Sequence, residues 1–337
     1  MRSYYKYITI AAMGLLTACS ADDLAEQDSD AIHEPVILKA GIEQEAPTSR
    51  ANTHWGTTEY GKTFSTSPLW GTNLRIALAF SDKESDLSTA AGVNSKVKEY
   101  KVTENAKSAS IVPLNADNTH YWSSKTKDHY ATGWCTNYVN SDLSASYQKN
   151  RMTNGSVPTV QSTYVEVNRR DVLFAPVQAV KYPSGATSAS LNFYHQKTRI
   201  DVKVNFVNND YTFTSNIISG KFKNAYYYGT WTYTSGNYGS WTPSGSKVDI
   251  TICKTDKFYS LMIPQPLRGI TFELTTNIPN NETISYTFDE DTVLEPGKFY
   301  FLTFNFSQEK GLTLETEITD WTPKTMTTGD AEFEYNP

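Results

Sequence analysis

The strongest constraint on the fold is an alternation of apolar and polar residues with a period of two. In the runs Leu74–Phe80 and Ile200–Phe206, every second side chain is a large apolar one. The same rule recurs in runs near residues 250, 272, 286, 303 and 314. Successive side chains of a strand point to opposite faces, so each run predicts an antiparallel strand with one core face and one solvent face. No long segment has helical periodicity, and the sequence therefore predicts an all-β chain.

The spacing of these runs also indicates how the chain is divided. Short strands separated by Gly, Asn, Ser and Pro clusters are typical of β-sandwiches, and 337 residues suffice for two domains. The turn-rich segment "KYPSGATS" (Lys181–Ser188) lies near the middle of the chain. We therefore predict an N-terminal β-sandwich over 35–183 and a C-terminal one over 184–337.

The N-terminus has the features of a secretory signal. Two basic residues precede an apolar run over 8–16, which is far too short to cross a bilayer. The sequence "LTAC" that ends at Cys19 is similar to a bacterial lipobox, in which the cysteine receives a diacylglyceryl group and becomes the first residue of the mature chain. We expect 1–18 to be a lipoprotein signal peptide and Cys19 the lipidation site; the alternative is an ordinary signal peptide with an incidental cysteine.

The negative charge of the chain is concentrated behind this cysteine. The chain has 30 basic and 36 acidic residues, a net charge of −6. Residues 19–50 contain eight acids and two bases, and residues 1–18 contain two bases, so the remainder has a net charge near −2. A near-neutral body offers no clustered basic face for nucleic acid. We expect 19–34 to be a disordered acidic tether, similar to the signal that directs lipoproteins to the outer face of the outer membrane through the lipoprotein export machinery.

Several segments, in order, resemble the fimbrillin family, the type V pilins and their relatives. Besides the lipobox and acidic leader, these are "PVILKAGIEQEAPTSRA" (35–51), "DVLFAPVQA" (171–179), "LNFYHQKTRIDVKVNF" (191–206), and "LEPGKFYFLTFNF" (294–306) followed by "ITDW" (318–321). The resemblance covers most of the mature chain. It implies two transthyretin-like β-sandwich domains in tandem and a structural subunit of adhesive cell-surface fimbriae.

The resemblance also implies a mechanism of assembly. A trypsin-like surface protease would cut after Arg50, so that Ala51 begins the mature subunit and the first strand leaves with the lipid. The vacated groove would then accept a strand from another fimbrial subunit, which gives self-polymerisation. The alternative for Arg50 is an ordinary solvated arginine.

The candidate strands have the alternation that this exchange requires. In the displaced first strand the alternating set is Val36, Leu38, Ala40 and Ile42. Near the C-terminus, Ala331, Phe333 and Tyr335 alternate with glutamates, which makes this tail a candidate donor strand; the alternative is that it pairs within its own domain. An unpaired edge above an apolar floor favours strand addition.

The remaining residues do not indicate an enzyme. The five histidines lack zinc spacing, and no nucleophile elbow, phosphate-binding loop or dinucleotide fingerprint is present. We therefore predict no catalytic residues, no metal and no cofactor. Cys135 and Cys253 are far apart in sequence, and we expect two core thiols, although a disulfide stays open.

An aromatic segment leaves two alternatives. Residues 224–245 contain Trp231 and Trp241 among five tyrosines, and such rings either pack across a β-hairpin or present a surface to a glycan or a host ligand. The sequence thus predicts a lipidated fimbrial subunit. The alternatives are a lipid-retained fimbrial anchor or accessory protein and a glycan-binding surface lipoprotein.

Overall fold

A computed structural model of the chain describes most of its central part. The described residues are 31–42, 57–58, 63–64, 74–103, 108–137, 153–163, 171–184, 188–207, 211–233, 236–255, 257–280, 282–289 and 291–315. Strands dominate this part and helices are few and short, so the predicted all-β class is confirmed. Within the described ranges, no helix has the length and apolar character that crossing a bilayer requires.

The elements are numbered in chain order. The strands are β1 (Ala31–Pro35), β2 (Leu38–Ile42), β3 (Thr57–Thr58), β4 (Thr63–Phe64), β5 (Arg75–Ser81), β6 (Val97–Val102), β7 (Ser108–Pro113), β8 (Tyr121–Ser124), β9 (His129–Asn137), β10 (Asn154–Ser156), β11 (Asp171–Val180), β12 (Ser190–His195), β13 (Thr198–Phe206), β14 (Ile217–Thr232), β15 (Ser240–Thr251), β16 (Cys253–Lys254), β17 (Phe258–Met262), β18 (Thr271–Thr276), β19 (Thr283–Thr287), β20 (Phe299–Ser307) and β21 (Gly311–Glu315). The helices are α1 (Ala90–Lys96) and α2 (Phe213–Asn216), and 3₁₀ turns span Glu84–Leu87 and Ala116–Asn118.

The first group of strands closes on itself. Within the described residues, the order is β11-β12-β2-β7-β6-β5-β9, and β9 pairs with β11 to complete a barrel. All neighbours in it are antiparallel except β2 and β12, which are parallel. Its core combines large and small apolar side chains, among them Phe193, Tyr100, Trp122, Ala40 and Ala109. The closure of the barrel depends on β2, because β2 alone joins β12 to β7.

The second group consists of two sheets that face each other across an aromatic core. One sheet has the order β10-β14-β18-β19, with β15 also paired to β14, and the other has the order β16-β17-β13-β20-β21. Phe222, Phe272 and Phe304 lie between them, with ring centroids 5.5 Å and 4.9 Å apart for successive pairs. This part has the sandwich arrangement that the alternation predicts.

The predicted boundary at 183/184 does not coincide with the division between these groups. Strand β12 lies after that boundary but completes the barrel, whereas β10 lies before it but pairs with β14. The turn-rich segment 181–188 connects two antiparallel neighbours, β11 and β12, because turn residues mark a reversal of direction whether or not a domain ends there. After an earlier excursion to the second group at β10, the chain makes its last passage from the barrel to that group through Gln196 and Lys197, between β12 and β13.

The prediction of a solvent face fails in two strands. In β5 the alanines Ala77 and Ala79 are as buried as the large side chains, because Leu87, Val93 and Trp134 cover that face. In β13 the polar positions Arg199 and Asp201 are both 0% exposed. The two pair with each other, Nε to Oδ1, at 2.9 Å, and the ammonium group of Lys257 lies 3.2 Å from the other carboxylate oxygen. Alternation distinguishes the two faces of a strand but does not show that either face is exposed to solvent.

Candidate functional site

The candidate site is the position of β2 inside the barrel. On one side β2 runs parallel to β12, from the pair Lys39 and Ser190 to the pair Ile42 and Phe193. On the other side it runs antiparallel to β7, where Leu38 is opposite Ile111. Both backbone edges of β2 are therefore paired. Its removal would open the barrel and expose two strand edges at once.

The side chains of this segment alternate between the core and the surface. Val36, Leu38 and Ala40 are buried in the barrel, whereas Ile37 is 49% exposed. For Ile42, the structure describes the backbone, which pairs with Phe193. All three inward side chains belong to the apolar core of the barrel, so the strand fills a largely apolar groove.

A separate short strand precedes β2. Residues 31–34, which the sequence assigned to the disordered tether, lie in β1, which pairs antiparallel with β8. The His33 ring stacks on Tyr121 at a centroid distance of 3.9 Å, and the hydroxyl of Tyr182 donates to Glu34 Oε2 at 2.7 Å. Low hydrophobicity predicted a tether here, but backbone pairing and these two contacts order the segment.

Buried polar groups hold the junction between β1 and β2. The amide of Val36 donates to the carbonyl oxygen of His120 at 2.8 Å. The amide of His120 donates to Tyr100 Oη at 3.2 Å, and its ring Nε2 donates to the carbonyl oxygen of Leu78 at 3.1 Å. Burial lowers the pKa of His120 to about 4 and raises that of Tyr100. Both groups are therefore neutral near pH 7.

A second histidine, His129, contacts β8 through Ser123. His129 Nε2 accepts from the amide of Ser123 at 3.3 Å, and burial lowers the pKa of this imidazole. The hydroxyl of Ser123 lies 3.0 Å from the same nitrogen and donates to Asp82 at 2.9 Å. A hydrolytic triad needs its carboxylate on the other ring nitrogen, so this cluster has a positioning geometry and not that of a triad. Among the described residues, no group of three or more His, Cys, Asp or Glu could hold a metal ion.

The aromatic segment lies at the junction of the two strand groups. Trp231 is 3% exposed, and the centroid of its ring lies 5.0 Å from that of Phe174. Its indole N–H donates to Gln196 Oε1 at 3.3 Å, while that of the half-buried Trp241 donates to the carbonyl oxygen of Gln196 at 2.6 Å. Of the two alternatives for this segment, the geometry favours packing at Trp231, whose ring is buried and therefore offers no face to a sugar.

Sequence reasoning missed the role of Gln196. Its amide donates to the carbonyl oxygen of Val172 at 2.8 Å, its side-chain oxygen accepts from the amide of Gly239 at 2.9 Å, and its side-chain nitrogen donates to the carbonyl oxygen of Asn237 at 3.1 Å. Gln196 therefore joins the barrel to the second group. The only signal in the sequence is the polar break "HQKT" between two strongly alternating runs.

Several predicted residues lie outside the described residues. These are the lipidation site Cys19, the processing site Arg50 and Ala51, and the candidate donor positions Ala331, Phe333 and Tyr335. Cys135 and Cys253 are described; both are buried and neither belongs to a disulfide, so they are core thiols. Burial raises the pKa of Cys135.

Comparison with known proteins agrees with this architecture. The model of a family described as fimbrillin-like matches residues 57–321. A search of curated proteins found no significant match. A proposed cell adhesion protein from Bacteroides uniformis has a similar structure, with a TM-score of 0.58 at 12% identity over 88% of this chain and 99% of the other. One from Bacteroides ovatus has a TM-score of 0.55 at 18% identity over 86% and 98%. At these identities the similarity shows a shared fold alone.

Proposed function

We propose, since this chain belongs to the fimbrillin-like family, that it is a structural subunit of adhesive cell-surface fimbriae and polymerises by donor-strand exchange. The observation that carries the proposal is the position of β2, which is paired on both edges and is the one described barrel strand that precedes Arg50. Strand exchange requires a strand that can leave the barrel while the remaining strands keep their pairing order. Two solved structures that share this fold are described as those of proposed cell adhesion proteins, and the proposal extends that adhesive role to this chain.

The energetic cost of losing β2 explains why another strand would replace it. Burial of Val36 and Leu38 contributes about 1.5–3 kcal/mol each, and each ladder hydrogen bond to β7 and β12 adds about 0.5–1.5 kcal/mol. A typical domain has a stability of only about 5–15 kcal/mol. An emptied barrel is therefore strongly destabilised, and a strand of suitable pattern would bind the groove tightly.

Proteolysis after Arg50 would release this strand. Arg50 lies between β2 and β3, so a cut there separates β1 and β2 from all later strands. A lipid on Cys19 would stay with the leaving segment. The uncut precursor would thus be anchored to the outer membrane by its lipid, and the processed subunit would be held by its neighbours in the fimbria.

The test is controlled digestion of the purified precursor with trypsin. We expect cleavage after Arg50, a new N-terminus at Ala51, and ladders that resist SDS. The variant Arg50→Gln should stay monomeric, whereas Lys181→Gln, at an exposed basic residue between β11 and β12, should behave like the wild type. A precursor that is cut at Arg50 but never forms ladders would contradict strand exchange.

The N-terminal residue of the protein recovered from cells distinguishes the proposed subunit from the main alternative, a lipid-retained anchor or accessory protein. An acylated Cys19 on most molecules would indicate a lipid-retained anchor or accessory protein. Ala51 would indicate a polymerising subunit.

A further inference from the structure

The outer face of the first segment of the chain carries an apolar surface. Side chains alternate along an extended chain, and the intervening Val36 points into the barrel core. His33, Pro35 and Ile37 therefore lie on the outer face, where all three are exposed. Tyr121 of β8 is opposite Pro35, and its ring stacks on that of His33 at a centroid distance of 3.9 Å. Together, His33, Pro35, Ile37 and Tyr121 form one continuous surface, the outer ridge.

The packing of the barrel does not account for the exposure of this ridge. Ile37 is 49% exposed and Tyr121 is 38% exposed, and none of the four ridge side chains carries a carboxylate or an ammonium group. The charged side chains near its two ends, Asp82 and Lys39, are each hydrogen-bonded to a serine hydroxyl. Contiguous apolar surface that is exposed to solvent usually marks an interaction site.

The position of the ridge in the chain indicates what would cover it. Between Cys19 and Ala31, the first residue of β1, there are 11 residues, which can span at most about 40 Å. A lipid on Cys19 would therefore hold the ridge close to the bilayer surface, at an effective concentration on the order of millimolar. Isoleucine and tyrosine side chains are suited to this place, because apolar side chains enter the headgroup region and tyrosine rings are enriched at the membrane–water interface.

We propose that the outer ridge of the lipid-anchored precursor lies on the phospholipid bilayer, with Ile37 and Tyr121 in the headgroup region. The inference rests on the proposed function in one point, the lipid on Cys19. Three of the four ridge residues precede Arg50, so a cut there would remove most of the docking surface together with the lipid. The precursor would thus be held in a fixed orientation on the membrane, and the processed subunit would be free of it.

Chemical coupling to vesicles tests this docking without depending on acylation in the cell. The chain from Cys19 to Pro337 is coupled through Cys19 to phosphatidylcholine vesicles that contain a maleimide lipid, and the thiols of Cys135 and Cys253 are buried and do not compete. Hydroxyl-radical footprinting with mass spectrometry then measures the oxidation of each exposed side chain. The control is the same chain with Cys19 capped by N-ethylmaleimide and mixed with the same vesicles.

We expect the oxidation of Ile37 and Tyr121 to fall severalfold on coupling. The reference side chains Ile218 and Val293, which are 58% and 52% exposed, should keep the oxidation that they have in the capped control. Ile37→Asp should restore the oxidation of Tyr121, because a carboxylate is costly to remove from water. The matched variant Ile218→Asp should leave Tyr121 protected, and circular dichroism checks that both variants fold.

Equal oxidation of Ile37 in the coupled and capped chains would overturn the inference and leave the proposed polymerisation intact. The same conclusion would follow if Tyr121 lost its protection equally in both aspartate variants. Protection that develops in the capped chain as its concentration rises would also overturn the inference, because a second copy would then be the occupant. A coupled chain that is protected but gives no SDS-resistant ladder after trypsin digestion would contradict the proposed function alone.

Discussion

Acid should weaken the barrel through His120, whose carbonyl oxygen accepts a hydrogen bond from the amide of Val36, two residues before β2. The ring is buried beside Tyr100, at a centroid distance of 6.0 Å, and Phe80, at 5.7 Å. Its Nε2–H bond to Leu78 needs only the neutral ring, and the nearby cations Lys96 and Lys98 disfavour a second proton. The folded state therefore binds a proton less readily than the unfolded chain does.

The size and sign of the effect follow from the two pKa values. The pKa of His120 is about 4 in the folded state against an ordinary value of 6.5. The stabilisation by the neutral ring is complete above the unfolded pKa and is lost as the pH falls from 6.5 towards 4. At about 1.4 kcal/mol per unit, the lowering corresponds to about 3 kcal/mol at most, and about 2–3 kcal/mol near pH 4.5.

Urea unfolding at pH 7.5 and pH 4.5 measures this loss. His120→Gln keeps a side-chain N–H that can reach Leu78 but cannot be protonated, so its loss between the two pH values should be smaller than that of the wild type by about 2 kcal/mol. His33→Gln, on the exposed strand β1, serves as the control and should keep the full acid loss. His129, whose pKa burial also lowers, is present in all three proteins and cancels from the comparison. An equal acid loss in His120→Gln and the wild type would refute the reasoning.

Three further outcomes follow from the buried polar and thiol groups. Gln196→Leu leaves the indole N–H of Trp231 and the amide of Gly239 without their acceptor, and should lower the free energy of unfolding by about 2–4 kcal/mol; calorimetry should resolve two transitions in place of one. Arg199→Met leaves the carboxylate of Asp201 buried beside one cation fewer and should cost about 3–5 kcal/mol in urea unfolding, much of which the added change Asp201→Leu should restore. The Cys135 thiol, buried and with a raised pKa, should react with a disulfide reagent only after unfolding, as absorbance would record.

Period-two alternation located β13, β15, β18, β19, β20 and β21 in the second group but only β2 and β5 in the barrel, because it reports a property of half-buried strands alone. Strands β13 and β20 follow the predicted runs within two residues. The pattern was insufficient where both faces of a strand are buried, as at Ala79, since alanine can face solvent or a second core. At Arg199, a buried ion pair produces the same pattern as a solvated face.

The sequence did not predict which strands pair with each other or in which direction. Alternation identified Val36–Ile42 as a strand, but the predicted antiparallel pairing is wrong for β2 with β12 and for β13 with β20, which are parallel. Side chains alternate between faces in the same way in parallel and antiparallel ladders. The register of Ala40 with Leu191 depends on the shape of the whole barrel. Strand β1 was missed for a similar reason, since its pairing with β8 rests on backbone groups that every residue carries.

The position of β2 connects the order of folding with the proposed exchange. Its pair with β12 joins residues about 150 positions apart, and closing so long a loop is entropically the least favourable pairing in the barrel. The other six strands, in the order β12-β11-β9-β5-β6-β7, form a continuous sheet without it. That sheet can therefore assemble first and receive β2 last. A barrel whose closing strand docks onto a finished sheet presents the same receptor surface to that strand and to a neighbour's strand, so exchange needs no rearrangement of the remaining pairs. Gln196 is hydrogen-bonded to β11 and to Gly239, so in the proposed exchange it would still join the second group to the sheet after β2 has left.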